Sequence, residues 1–306
     1  MVLVENFASV VEVRSGRRLF VRKVSINAST KPTATPKVQI VAVHGTCATQ
    51  QQYQALLDAI DDQGILHVDV VLYDCLGLAQ SPVDTYDSTA YSNEEHWQDL
   101  QAISERFTSE NLPTFFMGHS YGPSHIFNYL SAMGSSNGSS ANRRNVKGLV
   151  LIATALRSEH LTQPDGGHPI FKLPLFVLNC IQGYLTSSFL RLAVHPDNLP
   201  TLQTALQSDN QQNDMAVARA YHTNMQWRHD VPSNFAISTL IVHGAQDQLI
   251  PVECGQHLHN FLQSSSTSSS SKLVVVETAG HLVQIEQAST VAKEITTFIT
   301  QQLAAE

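Results

Sequence analysis

The sequence predicts an α/β protein whose sheet is mostly parallel. Three observations carry this prediction. Short apolar runs alternate along the chain with segments whose apolar residues recur at helical spacing. Several of these runs are continuous rather than alternating, which is typical of parallel strands that are covered on both faces. With 306 residues and 42% hydrophobic residues, the chain is long enough to bury such a sheet between helical layers.

The predicted elements begin with a hairpin and continue as strands and helices in turn. Residues 9–26 predict two strands joined by a turn at Ser15–Gly16. The remaining predicted strands are 38–45, 67–74, 114–120, 146–154, 239–244 and 272–280, and the predicted helices are 50–62, 93–109, 125–133 and a C-terminal segment with Val291, Ile295, Phe298, Ile299 and Leu303 on one face. The pattern therefore predicts an eight-stranded, mostly parallel sheet flanked by helices.

One long interval interrupts this alternation. About eighty residues separate the predicted strands at 146–154 and 239–244, which is too long for an ordinary loop. We therefore predict a core of residues 1–155 and 237–306 and an inserted helical cap at 156–236. Part of this cap carries no charge from Leu173 to Leu190. Polar residues and Pro174 interrupt the apolar run, so a cap helix is favoured over a membrane span, which needs about 20 predominantly apolar residues.

The strongest functional motif is Gly118-His119-Ser120-Tyr121-Gly122. A G-x-S-x-G pattern is weak alone, but here an apolar strand runs into it and a helical segment follows. A nucleophilic serine in a strained turn requires this strand–turn–helix context, with glycines where side chains would collide. The motif predicts Ser120 as a nucleophile; an ordinary Gly-Ser turn is the alternative.

A serine nucleophile needs a base and an acid that orients the base. Asp247 and His281 each follow a predicted strand, in the chain order Ser, Asp, His. Because the carboxyl ends of parallel strands form one edge of the sheet, the three side chains are expected to converge there. Helix capping is the alternative role for both Asp247 and His281. The backbone N–H groups of Tyr121 and Thr46 are the predicted oxyanion donors, with Cys47 as a possible substitute for Thr46.

Five segments resemble the α/β-hydrolase superfamily in order and spacing: VHGT, YDCLGLAQSP, GHSYG, VHGAQDQLIP and ETAGH. The resemblance implies an α/β-hydrolase fold in which Ser120 is the nucleophile, His281 the general base and acid, and Asp247 its orienter. Ala79 stands where the family's loop has a second glycine, which bears only on local loop shape. The GHSYG motif and residues 170–190 are also similar to the animal α/β-hydrolase-domain protein eight subgroup.

Composition and motifs exclude other classes of function. The 18 Lys and Arg residues against 26 Asp and Glu residues give a net charge of −8, which disfavours nucleic acid as a partner. We find no nucleotide-binding glycine motif and expect no cofactor. The closest histidine pair, His257 and His259, would lie on different faces of a helix, so no metal site is predicted. The four cysteines are widely spaced and are expected to be reduced, as in a cytoplasmic protein.

These observations predict a serine hydrolase of carboxylic esters with an apolar or lipid-like acyl group. An acyltransferase, a thioesterase, a C–C bond hydrolase and a non-catalytic ligand-binding protein remain alternatives. Some acyltransferases of related subgroups carry an acid five residues after the catalytic histidine; here Glu286 stands at that position and is expected to face solvent on the last helix. The expected partner is a small-molecule ester or lipid, with possible transient contact between the cap and a membrane surface. The oligomeric state is left open.

Overall fold

A single sheet of eight strands organises the chain. The computed structural model describes residues 3–26, 37–84, 86–135, 145–156, 167–211, 213–228, 231, 235–264 and 270–305. Its strands are β1 (Val4–Arg14), β2 (Arg17–Ile26), β3 (Lys37–Val43), β4 (His67–Tyr73), β5 (Thr114–His119), β6 (Val146–Ile152), β7 (Thr239–Gly244) and β8 (Ser271–Val276). They lie side by side in the order β1-β2-β4-β3-β5-β6-β7-β8.

The directions of the strands match the predicted fold class. β1 and β2 form the predicted antiparallel hairpin, and β2 pairs with β4 in antiparallel fashion. All the remaining neighbours are parallel. The sheet is therefore parallel except at the hairpin, and its parallel strands all end at the same edge.

Nine α-helices are found among the described residues. They are α1 (Gln54–Gln63), α2 (Asn93–Phe107), α3 (Gly122–Ser135), α4 (Leu175–Ala193), α5 (Leu199–Gln211), α6 (Met215–Asn224), α7 (Val252–Ser264), α8 (Val283–Glu286) and α9 (Ala288–Ala304). Local signals set several of the boundaries: the Ser92 hydroxyl accepts a hydrogen bond from Glu95 N at the start of α2, and Gly64 ends α1 with a φ of +61°.

Two apolar layers hold the helices to the sheet. On one face, side chains of α1 and α9 pack against strand residues such as Ile40 and Val70. On the other face, side chains of α2, α3 and α7 pack against residues such as Val41 and Val71. Alternate residues of one strand thus serve opposite faces, because successive side chains of a strand point to opposite sides of the sheet.

Helices α4, α5 and α6 follow β6 and precede β7, within the predicted cap at 156–236. Residues 157–166, 212, 229–230 and 232–234 of that segment lie outside the described residues. No helix in the described part of the chain is long and apolar enough to cross a membrane.

Candidate active site

Ser120 lies in a sharp turn between β5 and α3. Its φ of +58° is a left-handed conformation that non-glycine residues rarely adopt. A Cβ on Gly122 would lie 2.5 Å from the Val43 carbonyl oxygen, and one on Gly118 would lie 2.8 Å from Pro123 N. The two glycines of the motif therefore give the room that this turn requires.

Asp247 and His281 meet at the edge where the parallel strands end. Asp247 lies in the loop after β7 and His281 in the loop after β8, and His281 Nδ1 donates to Asp247 Oδ2 over 2.7 Å. Both residues are buried. This bond places the proton on Nδ1 and leaves Nε2 free to accept one.

Backbone groups hold the other oxygen of the Asp247 carboxylate. Leu249 N and Ile250 N each donate to Oδ1 over 2.9 Å. Burial acts to raise the pKa of Asp247, but the charge of His281 and the hydrogen bonds from His243 and His281 outweigh it, so the pKa of Asp247 is lowered. Asp247 is therefore a fixed carboxylate at neutral pH.

His119 brings the serine turn next to His281. The ring of His119, the residue before Ser120, lies with its centroid 4.8 Å from that of His281, and its Nε2 donates to the His281 carbonyl oxygen over 3.0 Å. Among the described residues, no hydrogen bond joins the Ser120 hydroxyl to His281. The serine turn thus lies beside His281 through the ring of His119, whereas His281 bonds directly to Asp247.

Two histidines near the site were not singled out by the sequence. His119 packs on His281, and burial together with the charge of His281 lowers the pKa of His119 to about 3. His243 Nε2 donates to the Ile250 carbonyl oxygen over 2.8 Å and lies 3.4 Å from Asp247 Oδ2. His119 lies within the GHSYG motif and His243 within VHGAQDQLIP. Their proximity in sequence to Ser120 and Asp247 is the feature that could have indicated a place near the site.

The loop after β3 packs directly on the serine turn. A Cβ on Gly45 would lie 3.0 Å from Ser120 Cβ, so no side chain fits between them. His44 fixes this loop: its Nδ1 donates to the Gly45 carbonyl oxygen over 2.8 Å, and its Nε2 accepts from Cys75 N over 2.9 Å. Neither Thr46 N nor Cys47 N donates to an acceptor in the described part of the chain, so both remain candidates for the oxyanion donor.

The Cys47 side chain lies close to the serine turn, yet it does not have the character of a reactive thiol. Burial raises the pKa of Cys47 to about 12. All four cysteines are free: Cys47, Cys75, Cys180 and Cys254. The Cys47 side chain packs against two apolar clusters of the interior.

The helices between β6 and β7 pack around this site. Leu178 and Leu185 of α4 and Met215 of α6 pack in one cluster with Cys47 of the loop after β3. Trp227, which follows α6, packs edge-on against Tyr121 with ring centroids 5.1 Å apart. Side chains from this segment thus contact the serine turn and the loop beside it.

The outward face of α4 carries several large apolar side chains. Phe176 and Tyr184 leave 71% and 68% of their surface exposed, and Leu192 of α4 and Leu173, just before it, are also exposed. The apolar composition of residues 170–194 therefore serves two faces, one packed around the site and one turned to solvent.

The prediction that Glu286 faces solvent on the last helix is wrong. Glu286 ends the short helix α8, before α9 begins. One carboxylate oxygen accepts from Gly280 N over 2.9 Å, and the other accepts from His195 N over 2.7 Å. Both of these partners of Glu286 are backbone N–H groups, one in an irregular loop and one far away in sequence. Helical periodicity does not predict contacts of this kind.

Metal-binding side chains do not cluster in the part of the chain that the structure describes. No group of three or more His, Cys, Asp or Glu residues there is placed to hold an ion. His257 and His259 both lie in α7, and the His259 ring bonds the Ser271 hydroxyl over 2.7 Å.

The sheet topology, the serine turn and the Asp247–His281 pair define the class of protein: the chain has the α/β-hydrolase fold. A family model described as serine aminopeptidase, S33 (Hydrolase_4) matches residues 34–288. The chain belongs to this family.

Solved structures agree on the fold. An esterase from Exiguobacterium antarcticum is similar with a TM-score of 0.71 and 17% sequence identity, over 96% of this chain and 100% of that chain. A thermophilic esterase from Thermogutta terrifontis gives a TM-score of 0.70 and 16% identity, over 99% of both chains. The 2-hydroxy-6-oxo-6-phenylhexa-2,4-dienoate hydrolase of Rhodococcus sp. strain RHA1 gives 0.68 and 14%, over 98% of this chain and 100% of that chain. No curated protein sequence matches the chain.

Proposed function

We propose that the protein is a serine hydrolase of carboxylic esters that works through an acyl-enzyme on Ser120. The observation that carries this proposal is the juxtaposition of a strained serine turn with a buried Asp247–His281 hydrogen bond of 2.7 Å. A serine in this setting is activated when a neighbouring neutral imidazole takes its proton.

In the proposed reaction, Ser120 Oγ attacks the ester carbonyl carbon while His281 Nε2 takes the hydroxyl proton. The resulting oxyanion accepts hydrogen bonds from Tyr121 N and from Thr46 N or Cys47 N. The imidazolium of His281 then gives its proton to the leaving alkoxide as the ester bond breaks. A water, deprotonated by His281, attacks the acyl-enzyme, and its proton returns to Ser120 when the acid leaves.

Asp247 orients the general base, His281, throughout this cycle. Its carboxylate holds His281 with the proton on Nδ1, so Nε2 faces the reaction as an acceptor. A fixed negative charge beside the ring also stabilises the imidazolium that forms in each step.

We assign the helical segment at 156–236 the role of a cap that lines the acyl pocket. The packing of Trp227 against Tyr121, and of α4 and α6 side chains against Cys47, supports this assignment. An apolar wall favours an apolar acyl group, because each buried CH₂ stabilises the bound state by about 0.8 kcal/mol. The subgroup similarity noted for residues 170–190 stays a hypothesis about which acyl groups the enzyme accepts.

A thioesterase, an acyltransferase, a C–C bond hydrolase or a peptidase would share the acyl-enzyme. The family description names a serine aminopeptidase, and one similar structure is a hydrolase of a dienoate. Two of these alternatives, the peptidase and the thioesterase, are tested beside the ester by offering aminoacyl p-nitroanilides and a thioester to the same preparation. A preference for an anilide by a factor of ten or so in kcat/KM would favour the peptidase.

The direct test of the proposal is turnover of p-nitrophenyl esters by the wild type and by Ser120→Ala. Removal of the nucleophile leaves only binding and oxyanion contributions, so a loss of about 10⁴-fold or more is expected. Ser264→Ala, at the exposed end of α7, is the matched control and should keep wild-type turnover. Near wild-type activity in purified Ser120→Ala would place the nucleophile elsewhere.

The exposed face of α4 supports a transient contact with an anionic lipid surface. Phe176 and Tyr184 are the most exposed large apolar side chains there, and the uncharged stretch is bounded by the cations Lys172 and Arg191. Aromatic side chains between basic residues suit the boundary of a charged bilayer. Sedimentation with phosphatidylserine vesicles should capture the wild type more than Phe176→Gln; equal capture of both would remove this contact from the proposal.

A further inference from the structure

We propose that Glu286 is a positioning residue for His281. It joins the loop that holds His281 (residues 277–282, called the His281 loop) to the junction between α4 and α5 (residues 194–198). For its effect on catalysis this inference rests on the proposed function. The structural link itself does not depend on it.

The Glu286 carboxylate joins two segments of the chain. Oε1 accepts from Gly280 N over 2.9 Å, on the residue before His281. Oε2 accepts from His195 N over 2.7 Å and from Asn198 Nδ2 over 2.9 Å. Gly280 belongs to the loop after β8, whereas His195 and Asn198 belong to the junction that follows α4.

The end of α4, next to this junction, contacts the backbone of His281. His281 N donates to the Ala193 carbonyl oxygen over 2.6 Å, at the last residue of α4. A Cβ on Gly280 would lie 2.6 Å from that oxygen, so only glycine permits the approach. The Ala193 carbonyl oxygen therefore holds the backbone of His281 directly. The Glu286 carboxylate ties the preceding residue, Gly280, to His195 in the adjoining junction.

Both side-chain oxygens of Glu286 act as hydrogen-bond acceptors in this contact. All three partners of Glu286 are N–H donors, and a carboxylate is the side chain that only accepts. Glutamine at this position would turn an NH₂ group toward one of those donors. Glu286→Gln therefore removes at least one bond while it keeps the size of the side chain.

Apolar packing makes the link stiff. Leu282, just before α8, and Ile285, within α8, pack with Leu190 of α4 and Leu206 of α5. Because these side chains are close-packed, a shift of the end of α4 is expected to displace the His281 loop. The cap and the proposed base therefore move as one unit through Glu286.

The test compares Glu286→Gln with Glu277→Gln, a matched change at an exposed glutamate just after β8. Steady-state hydrolysis of p-nitrophenyl butyrate should show kcat of Glu286→Gln lowered by about 10- to 100-fold, as a small misplacement of a catalytic group does, with KM changed less than about twofold. Glu277→Gln should match the wild type in both constants. A kcat of Glu286→Gln within twofold of wild type would overturn the positioning role.

Hydrogen exchange of the peptide that covers residues 279–286 separates this inference from the proposed function. Glu286→Gln should speed exchange of the Gly280 and His281 amides, while Glu277→Gln should leave it unchanged. This readout holds whether or not the wild type hydrolyses esters. Unchanged exchange in Glu286→Gln would contradict the link itself.

A second variant covers the case in which Glu286→Gln fails to fold. Asn198→Ala removes the bond to Glu286 and a 2.9 Å bond to the Thr278 carbonyl oxygen. It should lower kcat in the same direction and by a smaller factor, and its effect should be less than multiplicative with that of Glu286→Gln because both act on one contact. Wild-type kcat in folded Asn198→Ala, or fully multiplicative effects, would count against the shared link.

Discussion

His281 Nδ1 donates to one oxygen of Asp247 over 2.7 Å, while the other oxygen is held by two backbone N–H groups of the same loop. The backbone of its own loop therefore holds the Asp247 carboxylate in place independently of the imidazole. A carboxylate held in this way favours the His281 tautomer that carries its proton on Nδ1.

Asp247→Asn is expected to lower kcat by about 10³- to 10⁴-fold with little change in KM, because the amide no longer selects the tautomer with Nε2 as acceptor. The measurement is kcat and KM on a short ester. Asp62→Asn, at an exposed aspartate of α1, is the control and should behave as wild type. A wild-type kcat in Asp247→Asn would show that another acid orients His281.

The cap is expected to set the preferred acyl length. In the wild type, kcat/KM should rise by about fourfold per CH₂ from C2 esters and then level off as the pocket fills. Leu185→Gln, on the packed face of α4, should flatten the rise. Phe176→Gln, on its exposed face, should not.

A series of p-nitrophenyl esters from C2 to C8 measures this prediction, with the two variants assayed side by side. A flat or falling profile in the wild type would mean that the apolar segment is purely structural. The lipid-like acyl group should then be abandoned.

Two buried histidines are expected to make the fold sensitive to mild acid. Burial, with the charges of neighbouring histidines, lowers the pKa of His119 and of His125 to about 3, from 6.5 in the unfolded chain. Between these values the unfolded chain binds more protons, so the free energy of unfolding falls as the pH falls below 6.5. The loss is about 1.4 kcal/mol per pH unit for each histidine, and it is absent above that range.

Urea unfolding between pH 7.5 and pH 5 tests this dependence while the carboxyl groups remain largely ionised. His125→Asn should reduce the slope of unfolding free energy against pH, whereas His168→Asn, at an exposed histidine, should leave it unchanged. An identical slope in wild type and His125→Asn would contradict the assignment.

Thiol reactivity is expected to be confined to the outward face of α4. Cys180 is exposed there, while burial raises the pKa of Cys47 to about 12 and also raises that of Cys75. Brief alkylation of the native protein at neutral pH should modify Cys180, and Cys180→Ser should abolish this early label. Early modification of Cys47 would show that the loop beside Ser120 opens in solution.

The fold could be predicted largely from the sequence because its strands are uninterrupted apolar runs. The runs at 38–45, 114–120 and 239–244 each contain a buried strand, because short, continuously apolar runs suit parallel strands that are covered on both faces. The start of α3 was placed three residues late: the helix begins at Gly122 rather than at 125. Because proline is tolerated in the first turn of a helix, Pro123 is compatible with a helix that already begins at Gly122.

Other features of the site depend on contacts between distant segments. The sequence shows Glu286 at a recognisable spacing from His281, but its bonds go to backbone groups of the α4–α5 junction. Likewise, composition cannot tell the packed Leu185 from the exposed Phe176, because both lie in one apolar run. Such distinctions follow from how the helices dock, which local periodicity does not encode.

Ser120 is the proposed nucleophile, and covalent labelling probes this role without a substrate. After treatment with a fluorophosphonate, mass spectrometry of the digested protein should find a single phosphonyl group on Ser120. Ser120→Ala should carry no label, His281→Ala should react far more slowly, and Ser264→Ala should label as wild type. A phosphonyl group on another residue, or wild-type labelling of Ser120→Ala, would contradict the account.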